Sequence, residues 1–209
     1  MNDLTLKKRS RYLSWLLRHG AIESRLPMDA AGWARIDDVL SKTRLSRSVL
    51  DVIVARNNKS RLEIDGDRIR ASQGHSLEGV PVTQDALEAS WTIYRRPGNV
   101  FHGTQPDAVP GIAELGILRR ARSHVHLADR PQSRVGKRAN IGVLLEISPQ
   151  KLRDAGQELF VSPNGVVLTR HVPVEAIVAL RPLSRRARKQ QQTLRELLKR
   201  THDAKSLRT

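Results

Sequence analysis

The sequence predicts an α+β protein of two lobes, the first helical with a hairpin and the second built of short strands with brief helices between them. Three observations predict it. Apolar residues recur at helical spacing as far as Val54. A segment alternating about Asp65-Gly66 then marks a hairpin. From residue 100 onward, short apolar runs are separated by turn residues, the pattern of a lobe with a split mixed sheet.

Each element follows from local chemistry. Leu13, Leu16 and Leu17, with Tyr12 behind them, form an apolar helical stripe in LSWLLRHG, and Arg18 and His19 fall in the expected last turn. Gly20 is expected to end that helix in the left-handed conformation. Asp29 and Gly32 mark a turn, and Ile36, Val39 and Leu40 a short amphipathic helix. Ser46 is an N-cap candidate for a helix through Val49, Leu50, Val52, Ile53 and Val54. The hairpin follows at Arg61–Ala71. Helix, helix, hairpin describes a winged helix, a common nucleic-acid-binding module, over residues 1–76.

Residues 77–99 read as a connector. Val80-Pro81-Val82 cannot be a central strand, 85–91 is a short helix and Arg96-Pro97-Gly98 a turn. In the lobe at 100–182 the candidate strands are 100–102, 125–127, 141–147, 159–161, 166–169 and 176–180, with helices at 109–115 and 149–155. The tail, 183–209, is rich in Arg and Lys. Leu194, Leu197 and Leu198 share one face there, so a solvated basic helix is expected rather than a disordered arm.

Composition narrows the partner. A formal charge of +16 points to a polyanion, RNA or DNA before an acidic membrane surface. With only 3% aromatic residues, phosphate contacts rather than base stacking must dominate binding. No cysteine is present, which excludes a disulfide frame, a thiolate zinc site and a thiol nucleophile. No leader-like or membrane-spanning apolar run is seen, so a monomeric cytoplasmic protein with no membrane partner is expected.

The chemistry-bearing residues are arginines and histidines beside glycine turns. The sequence has no GxxxxGK, GxGxxG, HExxH or GxSxG pattern, and Asp37-Asp38 is explained by the start of a helix. His124 and His126 can share a strand face, but no third ligand accompanies them, so no metal site is expected. Arg18 and His19 could serve only to satisfy carbonyls at a helix end. His102-Gly103-Thr104 ends a strand, where glycine admits a ligand and the flanking side chains can bind ribose or phosphate, although a plain strand-to-helix turn would look the same. Arg122 alone reads as a solvated arginine, Asn164-Gly165 as a hairpin turn, and Gln73-Gly74-His75-Ser76 as a loop leaving the hairpin.

Together these pieces carry a resemblance. LSWLLRHG, DAAGWARIDDVL, NNKSRL, IRASQGHS, FHGT, SHVHL, VGKR, LFVSPNGVVLT and VP occur in one order from Leu13 to Ile177. The chain resembles the RNA 2'-phosphotransferase family, NAD-dependent enzymes that remove the 2'-phosphate left at a tRNA splice junction. The resemblance implies a winged-helix RNA lobe followed by an ADP-ribosyltransferase-like lobe that binds NAD, with positive side chains from both facing one cleft. Arg18, His19, Arg61 and Arg122 match the family's catalytic positions. His102, Gly103, Thr104, His124 and His126 match its NAD-lining strands. Ala128 stands where the family usually has serine, and Val167 where it has tryptophan. The basic tail has no counterpart in compact members.

The implied reaction suits these residue types. The RNA 2'-phosphate attacks C1'' of the nicotinamide ribose, forming a 2'-phospho-ADP-ribosylated RNA. The ribose O2'' then attacks the same phosphorus and releases 2'-hydroxyl RNA and ADP-ribose 1'',2''-cyclic phosphate. A phosphate needs no general base, and no metal is implied. Guanidinium forks hold the charged reactants better than lysine. Arg18 and Arg61 are expected on the 2'-phosphate, Arg122 on the NAD side, and His19 on the phosphate or as proton donor to the departing oxygen. Two rivals stand beside this reading. One is ADP-ribosylation of a nucleic-acid terminal phosphate or of protein, for which Glu175 would have to face the site. The other is a non-enzymatic winged-helix protein, which leaves FHGT and SHVHL unexplained.

Overall fold

The computed structural model describes residues 3–56, 60–133, 136 and 140–206. The chain divides into two compact units. The first comprises the chain up to Thr92 together with Arg120–Ser123 and Ser162–Asn164; the second comprises Ile93–Arg119, His124–Val161 and the chain from Gly165.

In the first unit, α1 (Asp3–Trp15) runs without a break into a wider π turn at Leu16–Gly20. Leu13, Leu16 and Leu17 are fully buried as the stripe predicts, whereas Tyr12 lies outside at 44% exposure. Gly20 does not adopt a positive φ, contrary to the expected left-handed cap. A Cβ there would lie 2.5 Å from the Trp15 ring, so glycine leaves room for that indole. Next come β1 (Ala34–Arg35), α2 (Ile36–Thr43), α3 (Arg47–Ala55) and the hairpin β2 (Leu62–Asp65) and β3 (Arg68–Ala71), turning at Gly66 with φ +58°. Ser46 caps α3 by accepting from the Val49 N–H at 3.4 Å. The antiparallel sheet has the order β1-β3-β2. Buried Arg70 ties this unit together: it pairs with Glu63, donates to Ser90 Oγ at 2.7 Å and lies 4.5 Å from the Trp33 ring centroid.

The expected connector belongs to the first unit as far as Thr92. Its helix α4 (Gln84–Ala89) is capped by Thr83, and Trp91 Nε1 donates to the Ser72 carbonyl at 3.2 Å. The chain crosses to the second unit within β4 (Thr92–Ile93).

The second unit contains β5 (Val100–Thr104), α5 (Val109–Leu115), β6 (Ile117–Leu118), β7 (Val125–Leu127), β8 (Val143–Ile147), α6 (Pro149–Asp154), β9 (Phe160–Val161), β10 (Val167–Thr169), β11 (His171–Val172) and β12 (Ile177–Pro182). Its sheets run β12-β8-β5, β4-β9-β10-β7 and β11-β6. The registers of β5–β8–β12, β7–β10–β9 and β6–β11 are all antiparallel, in contrast to the expected mixed sheet. Phe101 and Ala128 exchange two backbone hydrogen bonds, of 2.9 and 2.8 Å, and so join β5 to the end of β7. Ala128 and Val167, the two departures from the family pattern, are completely buried. The basic tail forms α7 (Arg185–Lys189) and α8 (Gln191–Ser206), and Leu194 and Leu198 enter the core beside α5. The expected helix is present because its leucines recur at i and i+4 on one face. No helix among the described residues is long and apolar enough to cross a membrane.

Candidate active site

The first unit gathers Arg18, His19, Arg61 and Arg122, although they are spread over more than a hundred residues of sequence. The organising segment is Ser72–Ser76, not a hairpin motif. At its start the Ser72 N–H donates to the Arg61 carbonyl at 2.8 Å, and Ser72 Oγ donates to the Ser60 carbonyl at 2.9 Å. At its end the Ser76 N–H donates to the Arg18 carbonyl at 2.9 Å, supported by Ser76 Oγ at 3.3 Å. Ser76 also forms a β-bridge with Arg122, and the Ser123 N–H reaches the His75 carbonyl at 2.8 Å. Gln84 Nε2 closes the arrangement on the Ser123 carbonyl at 2.7 Å. One short segment therefore fixes the backbone beside three arginines.

Arg18 and His19 sit in the π turn, a widened helical turn that recurs at functional sites. The Arg18 Nε and Nη2 are buried without a hydrogen-bond partner among the described residues. Burial, then the positive charges of Arg61 and Arg122, lower the Arg18 pKa from the ordinary guanidinium range to about 10. The group stays charged at neutral pH, and its charged neighbours in the cluster are cations. A buried guanidinium among like charges is costly, and an oxyanion would satisfy both its charge and its open donors. The Arg18 Nε and Nη2 cap no helix-end carbonyl, and the Arg18 carbonyl itself accepts from Ser76.

Burial, followed by Arg18 and Arg122, also lowers the His19 pKa below 6.5. The neutral ring therefore predominates at pH 7 in the free protein. His19 lines a hollow of about 410 Å³ with Ile22, Glu23, Ser76, Glu78 and Gly79. The His19 C–H resonances should titrate with a midpoint below 6.5 in anion-free buffer, and inorganic phosphate should move that midpoint upward; a midpoint above 6.5 in free protein would contradict the cationic surroundings. The linkage has a definite sign. Because the folded value is the lower one, the stability held above pH 6.5 is lost as pH falls through the folded pKa.

Backbone strain marks two approaches to the cluster. Ser60, next to Arg61, has φ +43°, and Arg120, two residues before Arg122, has φ +58°. Asn57, Asn58 and Lys59 of NNKSRL, and most of VGKR, lie outside the described residues. The sequence groups Arg122 with the strands at 100–182, but the bridge to Ser76 gives it to the first unit.

The remaining sequence candidates lie in the second unit. His102, Gly103 and Thr104 end β5, and His126 lies on β7 with His124 just before it. His102 Nδ1 is 3.1 Å from the His126 carbonyl, so in the neutral ring Nδ1 donates and Nε2 is the acceptor. His124 is buried at 1% exposure, and Gly103 is buried as well. Glu175 is half-buried in the single turn Val174–Ala176. Sequence reasoning missed Ser76 and Gly79. The available signal was GHSLEG, whose small residues permit the close backbone approach seen at Gly79, where a Cβ would collide with the His19 carbonyl oxygen.

Against known proteins, residues 5–171 match the RNA 2'-phosphotransferase, Tpt1 / KptA family. The chain belongs to this family. It is 38% identical over 175 residues to a protein of Burkholderia lata described as a probable RNA 2'-phosphotransferase, covering 79% of this chain and 87% of that one. Proteins of the same description from Pseudomonas syringae pv. tomato and Acaryochloris marina are 34% and 35% identical, each over 84% of this chain and over 95% and 98% of their own.

Proposed function

We propose that the protein removes an internal 2'-phosphate from RNA by transferring it to NAD, leaving 2'-hydroxyl RNA, ADP-ribose 1'',2''-cyclic phosphate and nicotinamide. The observation that carries this reading is the buried, hydrogen-bond-deficient guanidinium of Arg18, flanked by Arg61 and Arg122, in a member of this family. Such a site selects a multiply charged oxyanion, and a phosphomonoester supplies one.

The residues divide the work. Arg18 and Arg61 hold the 2'-phosphate, and Arg122, tied to the same segment, holds it or the diphosphate of NAD. His19 is neutral before substrate arrives. A phosphate beside it favours the protonated ring, so His19 takes up a proton with substrate and can pass it to the 2'-oxygen as that bond breaks. The second unit fits NAD through polar groups gathered where β5 and β7 meet. The ring of His102 is oriented by the His126 carbonyl, and Thr104 lies two residues further along β5. When bound, NAD supplies the ribose carbon that accepts the phosphate and the nicotinamide that departs. In this reading the first unit is a winged-helix RNA lobe and the second an ADP-ribosyltransferase-like lobe.

Purified protein incubated with NAD and a 2'-phosphorylated oligoribonucleotide tests the proposal. It predicts free nicotinamide, a cyclic ADP-ribose phosphate and dephosphorylated RNA in equal amounts. Inorganic phosphate released without NAD, or an ADP-ribosylated RNA end as the final product, would overturn it.

A further inference from the structure

The first unit carries a second feature that the reaction does not use. Aromatic residues are scarce, yet Tyr12 and Trp15 are the two exposed ones among the described residues, at 44% and 37%. Their rings stack with centroids 5.7 Å apart and planes inclined by 23°. Burying this pair in the core of the unit would be the usual economy for large apolar rings.

The pair lies on a continuous exposed line. Tyr12, Trp15, His19 and Ile22 follow at i, i+3, i+7 and i+10, one face of α1 continued through the π turn, and all four are exposed. At one end the line meets the hollow beside His19 and Ile22. At the other, Tyr12 borders a separate hollow of about 240 Å³ with Lys8, Arg9, Thr43 and Leu45. That second hollow combines an aromatic face, an apolar floor from Leu45, a hydroxyl and two cationic side chains. These are the groups that recognise one nucleotide of a single strand: a ring for the base and cations for its phosphate. From Tyr12 to His19 is seven residues, roughly 10 Å along the helix, a short reach for single-stranded RNA.

We propose that Tyr12 and Trp15, with Lys8 and Arg9, form a nucleotide subsite that stacks an unpaired base flanking the reacting nucleotide. The inference rests on the 2'-phosphate being bound at Arg18. It commits to single-stranded RNA, because a paired base offers no open face to the rings.

Tyr12→Ala, Tyr12→Phe and the pair Lys8→Gln with Arg9→Gln provide the test, with two readouts. The first is binding of an unphosphorylated single-stranded oligoribonucleotide without NAD, followed by anisotropy and by Trp emission. The second is the ratio of kcat/KM on a 2'-phosphorylated octamer to that on a 2'-phosphorylated dinucleotide. Tyr12→Ala should weaken oligonucleotide binding about 5- to 30-fold and lower the ratio by a similar factor, whereas Tyr12→Phe should retain both. In the double Gln variant, the slope of log affinity against log salt should become shallower by about 0.7 for each phosphate no longer neutralised. A Tyr12→Ala protein that binds the single strand like the wild type, or that loses activity on both substrates equally, overturns the subsite. The two readings fail separately. If Arg18→Met left turnover intact while Tyr12→Ala still weakened the octamer, the rings would still stack a base, and only their placement beside the reacting nucleotide would fall with the phosphate assignment.

Discussion

Arg18→Met is expected to lower 2'-phosphate transfer by roughly 10²–10³-fold and, in anion-free buffer, to raise the melting temperature of the protein. In the proposed role, the first effect would follow from losing a preorganised cation beside the transferred phosphoryl group, for which single-donor removal has costs of about this size. The second follows from the cost of the charge. A guanidinium pKa lowered to about 10, at about 1.36 kcal/mol per unit, corresponds to something on the order of 3 kcal/mol. Because the folded value is the lower one, that cost is fully present at neutral pH and is relieved only as pH rises beyond the folded pKa. Methionine keeps an unbranched apolar stem while removing the guanidinium, and each kcal/mol retained raises the midpoint by about 2–4 °C. Phosphate should reverse the order, stabilising the wild type and not the variant. Equal melting in both proteins with and without phosphate would show that the cluster is not an anion site.

Gly79→Ala is expected to reduce activity about as severely without unfolding the protein. The backbone of Gly79 accepts from the Ile22 N–H at 3.1 Å, which anchors the chain just beyond the π turn. A Cβ would meet the His19 carbonyl oxygen, a backbone atom that no rotamer change can move aside. The π turn must shift, carrying Arg18 and His19 with it, and misplacement by about 1 Å can cost on the order of 10²-fold. The signature is a fall in kcat together with a His19 titration that moves toward the ordinary imidazole value. A variant with wild-type kcat and unchanged His19 titration would show that the approach is not positional. Gly66→Ala serves as the contrast, because nothing lies within 4 Å of its would-be Cβ and only hairpin strain is expected.

Much of the fold was legible because local chemistry decides it. Ser46 caps α3 as its position before an apolar helix required, the hairpin expected about Asp65-Gly66 turns one residue on at Gly66-Asp67, and β7 spans the three residues that VHL marked. The tail is helical because Leu194 and Leu198 have somewhere to pack, which its charge alone would not have told. What escaped reading is long-range. Ser76 and Arg122 are paired across 46 positions, and a single bridge leaves no periodic trace, so QGHS looked like an exit loop and Arg122 like part of the later strands. Gly20 misled for a similar reason. Its neighbour in space is the Trp15 ring, whereas a terminal glycine ordinarily signals a left-handed cap. The candidate site residues are named by their motif order; the way Ser72–Ser76 ties their backbones together is not legible there.

The most direct test of the central claim is calorimetric titration, without NAD, of a 2'-phosphorylated oligoribonucleotide and its 2'-hydroxyl counterpart into the wild type and Arg18→Met. The account predicts that the wild type prefers the phosphorylated strand by about tenfold or more, an increment of about 1.4 kcal/mol, with proton uptake near pH 7, and that the preference vanishes in the variant while residual affinity for the strand remains. Equal affinities of the wild type for both strands, or a preference that survives Arg18→Met, would contradict it.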